Sequence, residues 1–239
     1  MKKTVLIALA LVLAGGSAIA KSTVYNNPDN KVTFGIRVGG DIVLPSEIKT
    51  GKYAYDKYDN GGGAELGVVC NIPIVANFFI EPGVKAYFDT YEFDDDWSDN
   101  NDNNNDNWFN NPLNDGLDMS INKFGVRIPL MLGYRFDVSE DFAVSLFTGP
   151  ELEVGILGNI RTEGAFVDGM ANVSFTEDLY STEGSVYNRV NCLWDAGISI
   201  SFQKMWLGVN AGFGITEMDT EPDKKFTENR VTISLGFNF

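Results

Sequence analysis

Eight stretches of this chain alternate apolar and polar residues with a period of two. Beyond residue 20 there is no run of about 18 apolar residues that could supply a helical membrane span. The stretches are Val32 to Val43, Gly62 to Ile72, Phe78 to Tyr91, Ile121 to Phe136, Phe142 to Leu157, Arg189 to Phe202, Met205 to Thr216 and Asn229 to Phe239. In the fourth, Phe124, Val126, Ile128, Leu130, Leu132, Tyr134 and Phe136 share one face, while Lys123, Gly125, Arg127, Pro129, Met131, Gly133 and Arg135 share the other. A period of two belongs to β-strands, and an even strand count is what a closed antiparallel barrel requires. The expected fold class is all-β, an eight-stranded antiparallel up-and-down transmembrane β-barrel. Segments of about 11 to 16 residues exceed the 9–11 that cross a bilayer, so the strands are expected to project beyond it.

The connections alternate in length. Asn71 to Asn77, Asp137 to Asp141 and Gln203-Lys204 are tight; Leu44 to Gly61, Glu92 to Ser120, Gly158 to Asn188 and Glu217 to Glu228 are long. Short turns on one side and long loops on the other is the pattern of bacterial outer-membrane barrels. An even strand count then puts both chain ends beside the short turns and the acidic loops outside. Phe34, Phe78, Tyr134, Phe136, Phe142, Phe202, Phe237 and Phe239 fall at the short-turn ends of their strands, as an interfacial aromatic belt would.

The amino end fits this destination. Met1-Lys2-Lys3 is a positive flank, Val5 to Ala14 an apolar run and Ala18-Ile19-Ala20 a small-x-small site, together the features of a secretory signal peptide over residues 1–20. The barrel domain is then 21–239, starting near Lys21. Loss of Lys2 and Lys3 takes the net charge of −15 to −17. Such acidity speaks against a nucleic-acid partner, which needs a basic footprint. No periplasmic module is expected after Phe239.

The stretch Phe124-Gly-Val-Arg-Ile-Pro-Leu-Met-Leu-Gly-Tyr-Arg-Phe136, followed by Leu146-Phe-Thr-Gly-Pro150, resembles the core of the PorT-like outer-membrane β-barrel family. The terminal Phe239 resembles the carboxy-terminal signal by which such barrels are recognised for assembly. The resemblance implies localisation in the outer membrane of a Gram-negative cell envelope, with membrane lipid as a partner. It implies no shared catalytic residues.

Alternation alone leaves a second possibility open. A soluble periplasmic, lipocalin-like binding barrel has the same period but carries its apolar face inside. The polar faces here hold Arg37, Asp41, Glu65, Glu81, Lys85, Asp89, Arg127, Arg135, Glu151, Glu153, Arg189 and Asp195. Pairing Phe136 with Phe142 sets Arg127 opposite Glu151, and pairing Cys70 with Ile80 sets Glu65 opposite Lys85. These four are the expected lumen ion pairs, and a lumen so filled disfavours a narrow pore.

An enzyme is not expected. The chain contains no histidine, which removes Ser-His-Asp triads, HExxH zinc sites and histidine proton shuttles. Glu151 and Glu153 share a strand face and read as ion-pair partners before acid–base catalysts. No cofactor is expected, with one candidate to weigh. Asp94, Asp95, Asp96, Asp99, Asp102 and Asp106, in an Asn/Asp-rich stretch of the second long loop, offer hard oxygen ligands suited to calcium. The stretch lacks EF-hand spacing, and a solvated, turn-rich loop is the more economical reading. Trp97, Trp108 and Phe109 beside it suit contact with a protein or glycan. Cys70 and Cys192 fall on separated strands at different depths, so free thiols are expected.

Overall fold

The computed structural model describes residues 31–50, 53–55, 58–92, 117–139, 141–166, 170–180, 187–219 and 224–239. The proposed signal peptide and the Asp94 to Phe109 stretch lie outside them. Twelve strands are present: β1 (Thr33–Pro45), β2 (Ile48–Thr50), β3 (Tyr53–Tyr55), β4 (Gly61–Pro73), β5 (Phe78–Glu92), β6 (Leu117–Asp137), β7 (Phe142–Phe166), β8 (Met170–Asp178), β9 (Val190–Phe202), β10 (Met205–Gly214), β11 (Lys224–Lys225) and β12 (Glu228–Asn238). Eight of them, β1, β4, β5, β6, β7, β9, β10 and β12, each pair antiparallel with their neighbours in chain order, and β1 closes the ring on β12. Closure leaves no strand edge around the wall.

The barrel is inside out relative to a soluble protein. On β6 the outward Phe124, Ile128, Leu130 and Leu132 are 37–51% exposed, while the alternate Lys123 and Arg127 are wholly buried. Aromatic residues bound the apolar wall at both ends. Phe34 stacks on Phe239, and Tyr134 packs edge-on against Phe78 and Phe136, at the short-turn level. Outward Phe88, Phe124, Trp194 and Phe213 stand on the long-loop side. From Phe124 to Tyr134 the strand climbs ten residues, about 25 Å at the usual rise and tilt, which matches the apolar band of a membrane barrel.

Several elements lie inside stretches expected to be loops. β6 begins at Leu117, β7 runs on to Phe166, and β8 pairs with that extension; β2, β3 and β11 form a small separate sheet. Alternation extends into these stretches too weakly to be read against their polar composition.

Two of the tight turns are centred one residue further along the chain than the sequence suggested, and this corrects two registers. Between β6 and β7, the amides of Val138 and Ser139 both donate to the Phe142 carbonyl at 3.0 Å, so Phe136 faces Val144 rather than Phe142. Arg127 therefore faces Glu153, and Glu151 faces Pro129. Between β4 and β5, Ile74 N donates to Phe78 O and Ala76 and Asn77 take positive φ, so Ile80 faces Ile72 rather than Cys70. Lys85 then faces Gly67, and Glu65 faces Tyr87. Both slips are of two residues. An even slip exchanges partners but keeps each side chain on its own face.

Candidate functional site

The interior is built of ions. Arg127, on β6, points across the lumen from the wall to four other strands: Nη1 lies 2.7 Å from Asp41 on β1 and 3.2 Å from Glu65 on β4, Nη2 lies 2.5 Å from Asp89 on β5, and Nε lies 3.1 Å from Glu153 on β7. Glu151 stands further off, at 3.8 Å. The Tyr87 ring lies 4.1 Å under the guanidinium.

Three more cations extend this lattice. Arg230 pairs with Glu151, lies 3.5 Å from Glu153, 3.7 Å from Asp41 and 3.9 Å from Asp195. Lys85 lies 2.9 Å from Glu65, its diagonal neighbour, and 3.4 Å from Glu151. Lys123 lies 2.6 Å from Glu228 and 3.4 Å from Glu153. Thr232 completes the ring by donating to Asp41 at 2.5 Å. All these side chains are buried, most of them fully. Below them Arg37 sits 3.6 Å from Glu81 and 4.3 Å from the Trp206 ring.

Small residues make room for the large ones. A Cβ on Gly67 would meet the backbone of Lys85, and one on Gly236 would meet the Arg37 side chain. These glycines let charged side chains cross the lumen at their level.

Above the ions lies an aromatic cap. Tyr58, Tyr180, Tyr187, Met218 and Phe226, all from the long connections, pack with Val43, Tyr91, Ile121 and Leu179 into one buried cluster. Tyr58 and Tyr187 share a hydroxyl hydrogen bond of 2.7 Å, and both rings pack against Phe226. Burial pushes the Tyr180 hydroxyl up to about 12 and that of Tyr187 well above its ordinary range.

The four expected lumen residues thus meet in one lattice: Lys85 reaches Glu65 at 2.9 Å along a diagonal, and Arg127 takes Glu153 at 3.1 Å with Glu151 further off at 3.8 Å. Two other expectations differ. Arg189 lies outside the lumen, exposed, its Nη2 donating to the Tyr180 carbonyl at 2.6 Å, because β9 begins only at Val190. Arg135 is half-buried at the short-turn end. Sequence reasoning passed over Arg230 and Glu228. Arg230 shares the parity of Thr232 and was legible by alternation, but Glu228 lay in a stretch read as loop. The cap left no sequence signal, since its members come from separate loops. Cys70 and Cys192 face Phe34 and Leu152 in register, and both thiols are free.

This combination, an apolar belted wall around an ionic interior, agrees with what the sequence matches: residues 16–219 fit the family described as outer membrane protein beta-barrel domain. The chain belongs to that family. It is an outer-membrane protein that crosses the bilayer with β-strands, and the soluble periplasmic alternative falls with its expected apolar interior. The match is to the barrel domain as a whole, coarser than the PorT-like kinship of the Phe124 to Pro150 motif, and the family is one of membrane barrels rather than of enzymes. No curated protein matches the sequence. Among solved structures, Ail, the attachment invasion locus protein of Yersinia pestis, is 11% identical with TM-score 0.41, covering 87% of this chain and 98% of that one. The outer membrane protein OprG from Pseudomonas aeruginosa is 10% identical with TM-score 0.42, covering 87% and 95%. Neisserial surface protein A is 10% identical with TM-score 0.39, covering 86% and 97%. At such identities and scores, nothing about the partners or activities of these proteins transfers.

Proposed function

We propose that this protein is a non-conducting outer-membrane barrel with a structural and interactive role, holding long acidic loops outside the cell for a protein or glycan partner. The observation that carries the reading is Arg127, which reaches carboxylates on four other strands and so spans the lumen from wall to wall. Eight strands leave an interior that side chains fill, and the Tyr58–Tyr187 cap adds a second, apolar layer. The role is non-enzymatic in this reading: the chain lacks histidine, and the interior carboxylates serve Arg and Lys. Residues 1–20 act as a cleaved leader, supported by their charged, apolar and small-residue regions.

Planar-bilayer recording tests the closed lumen. The wild-type barrel is expected to give a flat current trace, and stable single-channel steps would replace this reading with a pore. Amino-terminal sequencing of the protein recovered from outer membranes is expected to begin at Lys21.

A further inference from the structure

Within the described interior, seven carboxylates (Asp41, Glu65, Asp89, Glu151, Glu153, Asp195 and Glu228) face four cations (Lys85, Lys123, Arg127 and Arg230). The Arg37–Glu81 pair below adds one of each sign. Three more acidic than basic groups are therefore buried, and a buried charge without a partner is costly enough that an acid neutralises itself instead.

The seven are not served alike. Six have a cation at 3.1 Å or nearer: Asp41, Asp89 and Glu153 from Arg127, Glu65 from Lys85, Glu151 from Arg230 and Glu228 from Lys123. Asp195, on β9 and wholly buried, has Arg230 at 3.9 Å, and that guanidinium is already paired with Glu151. Its Oδ2 accepts from the neutral Asn210 amide at 3.2 Å. Its Oδ1 has no hydrogen-bond partner among the described residues.

Neither an ion nor a water fits against that oxygen. It rests on Gly212, the residue opposite Asp195 on β10, where a Cβ would stand 2.5 Å from it. Asp89 has a similar orphan, with Oδ1 over Gly63 on β4, but Arg127 holds its other oxygen at 2.5 Å. The other charges that face Asp195 do not favour its carboxylate. Glu151 on β7 repels it, and Glu65 on β4 and Lys85 on β5, which share a cavity wall with Asp195, are paired with each other. Its inward neighbours on β9 and β10, Leu193, Gly197, Asn210 and Gly212, carry no charge.

We propose that Asp195 is a proton-binding site: in the folded barrel it stands as a neutral acid with the proton on Oδ1, while Oδ2, as the carbonyl oxygen, keeps the Asn210 hydrogen bond. A proton needs no cavity and no ligand sphere, which sets it apart from any metal ion. A neutral hydroxyl without an acceptor costs far less than a buried charge without a partner. The unfolded chain holds the same side chain in water as a carboxylate, so folding at neutral pH takes a proton up and alkali works against the plug. The inference rests on the closed lumen proposed above, since a water-filled interior would leave the group ionised.

Infrared spectroscopy of the full-length refolded barrel in detergent at pH 7 tests this, because a protonated carboxyl absorbs on the high-frequency side of the amide I band and a carboxylate on the low side. The spectrum of the wild type minus that of Asp195→Asn is expected to show a carboxylic-acid band, and Asp89→Asn should retain that band. Asp195→Asn, with heat-modifiable gel mobility confirming its fold, is expected to match or exceed the wild type in urea midpoint at pH 7. The gap should widen as pH rises, since only the wild type has a proton to lose there. A difference spectrum without the acid band overturns the proposal. An Asp195→Asn barrel that is less stable than the wild type, or that fails to refold, overturns it as well, because Asn keeps the shape and removes the charge. A missing band beside a flat bilayer trace sinks the proton alone, while channel steps sink the closed lumen on which it rests.

Discussion

Arg127 and Glu153 face each other across the β6–β7 ladder and join side chains at 3.1 Å inside the barrel. Both are wholly or almost wholly sealed from water, so neither charge can be removed without leaving the other short of a partner. Breaking one member of a buried pair costs about 3–5 kcal/mol in a dry site. Arg127→Ala is expected to lower the urea unfolding midpoint by an amount in that range. Adding Glu153→Ala should recover only part of the loss, since Asp41, Glu65 and Asp89 also lose their cation. A double-mutant cycle in which the two losses simply add would show that the pair is not coupled.

Leu130 is two residues beyond Ile128 on the same outward face and 51% exposed, midway between the two aromatic belts. Arginine at the bilayer midplane costs about 2–4 kcal/mol on the lipid face of a barrel. Leu130→Arg is expected to destabilise the protein by that amount in lipid vesicles. A neutral effect would mean that this face does not meet acyl chains.

Tyr180 and Tyr187 give the cap a pH response. Each hydroxyl ionises later in the folded protein than its ordinary value near 10, because burial disfavours the phenolate. Above pH 10 the unfolded chain therefore loses protons that the folded chain keeps, and stability falls as pH rises. Unfolding midpoints are expected to hold below pH 10 and to decline between pH 10 and about 12, the Tyr180 value. The decline should shrink in Tyr180→Phe; an unchanged slope in that variant would remove the cap as its source.

Cys70 lies on β4 at the rung of Phe34, near the short turns, and Cys192 on β9 at the rung of Leu152. With three barrel strands, β5, β6 and β7, between them on one side, and β1, β12 and β10 on the other, a bridge would require Cα atoms closer than about 7 Å, which this wall forbids. Two equivalents of a thiol reagent are expected to react with the unfolded, unreduced chain. An internal disulfide in its mass spectrum would refute the strand order.

Period-two alternation was enough, from the residues alone, to establish the number of barrel strands, the alternation of tight turns and long connections, and the face of every lumen charge from Arg37 to Asp195 except Arg189. That information is local: each side chain's face depends only on its position along its own strand. Partnership is not local. Whether Arg127 meets Glu151 or Glu153 depends on how the Asp137 to Asp141 turn closes, and a slip of two residues leaves the sequence pattern untouched. The Arg230 bridge to Glu151 and the Lys123 bridge to Glu228 depend on closure of the ring, which brings β12 across from β6 and β7. The tyrosine cap, too, exists only because three connections separated along the chain converge over one lumen, where burial of their rings replaces water above the ions. Sequence periodicity decided which side chains enter the interior; the circumference of the barrel decided which of them touch.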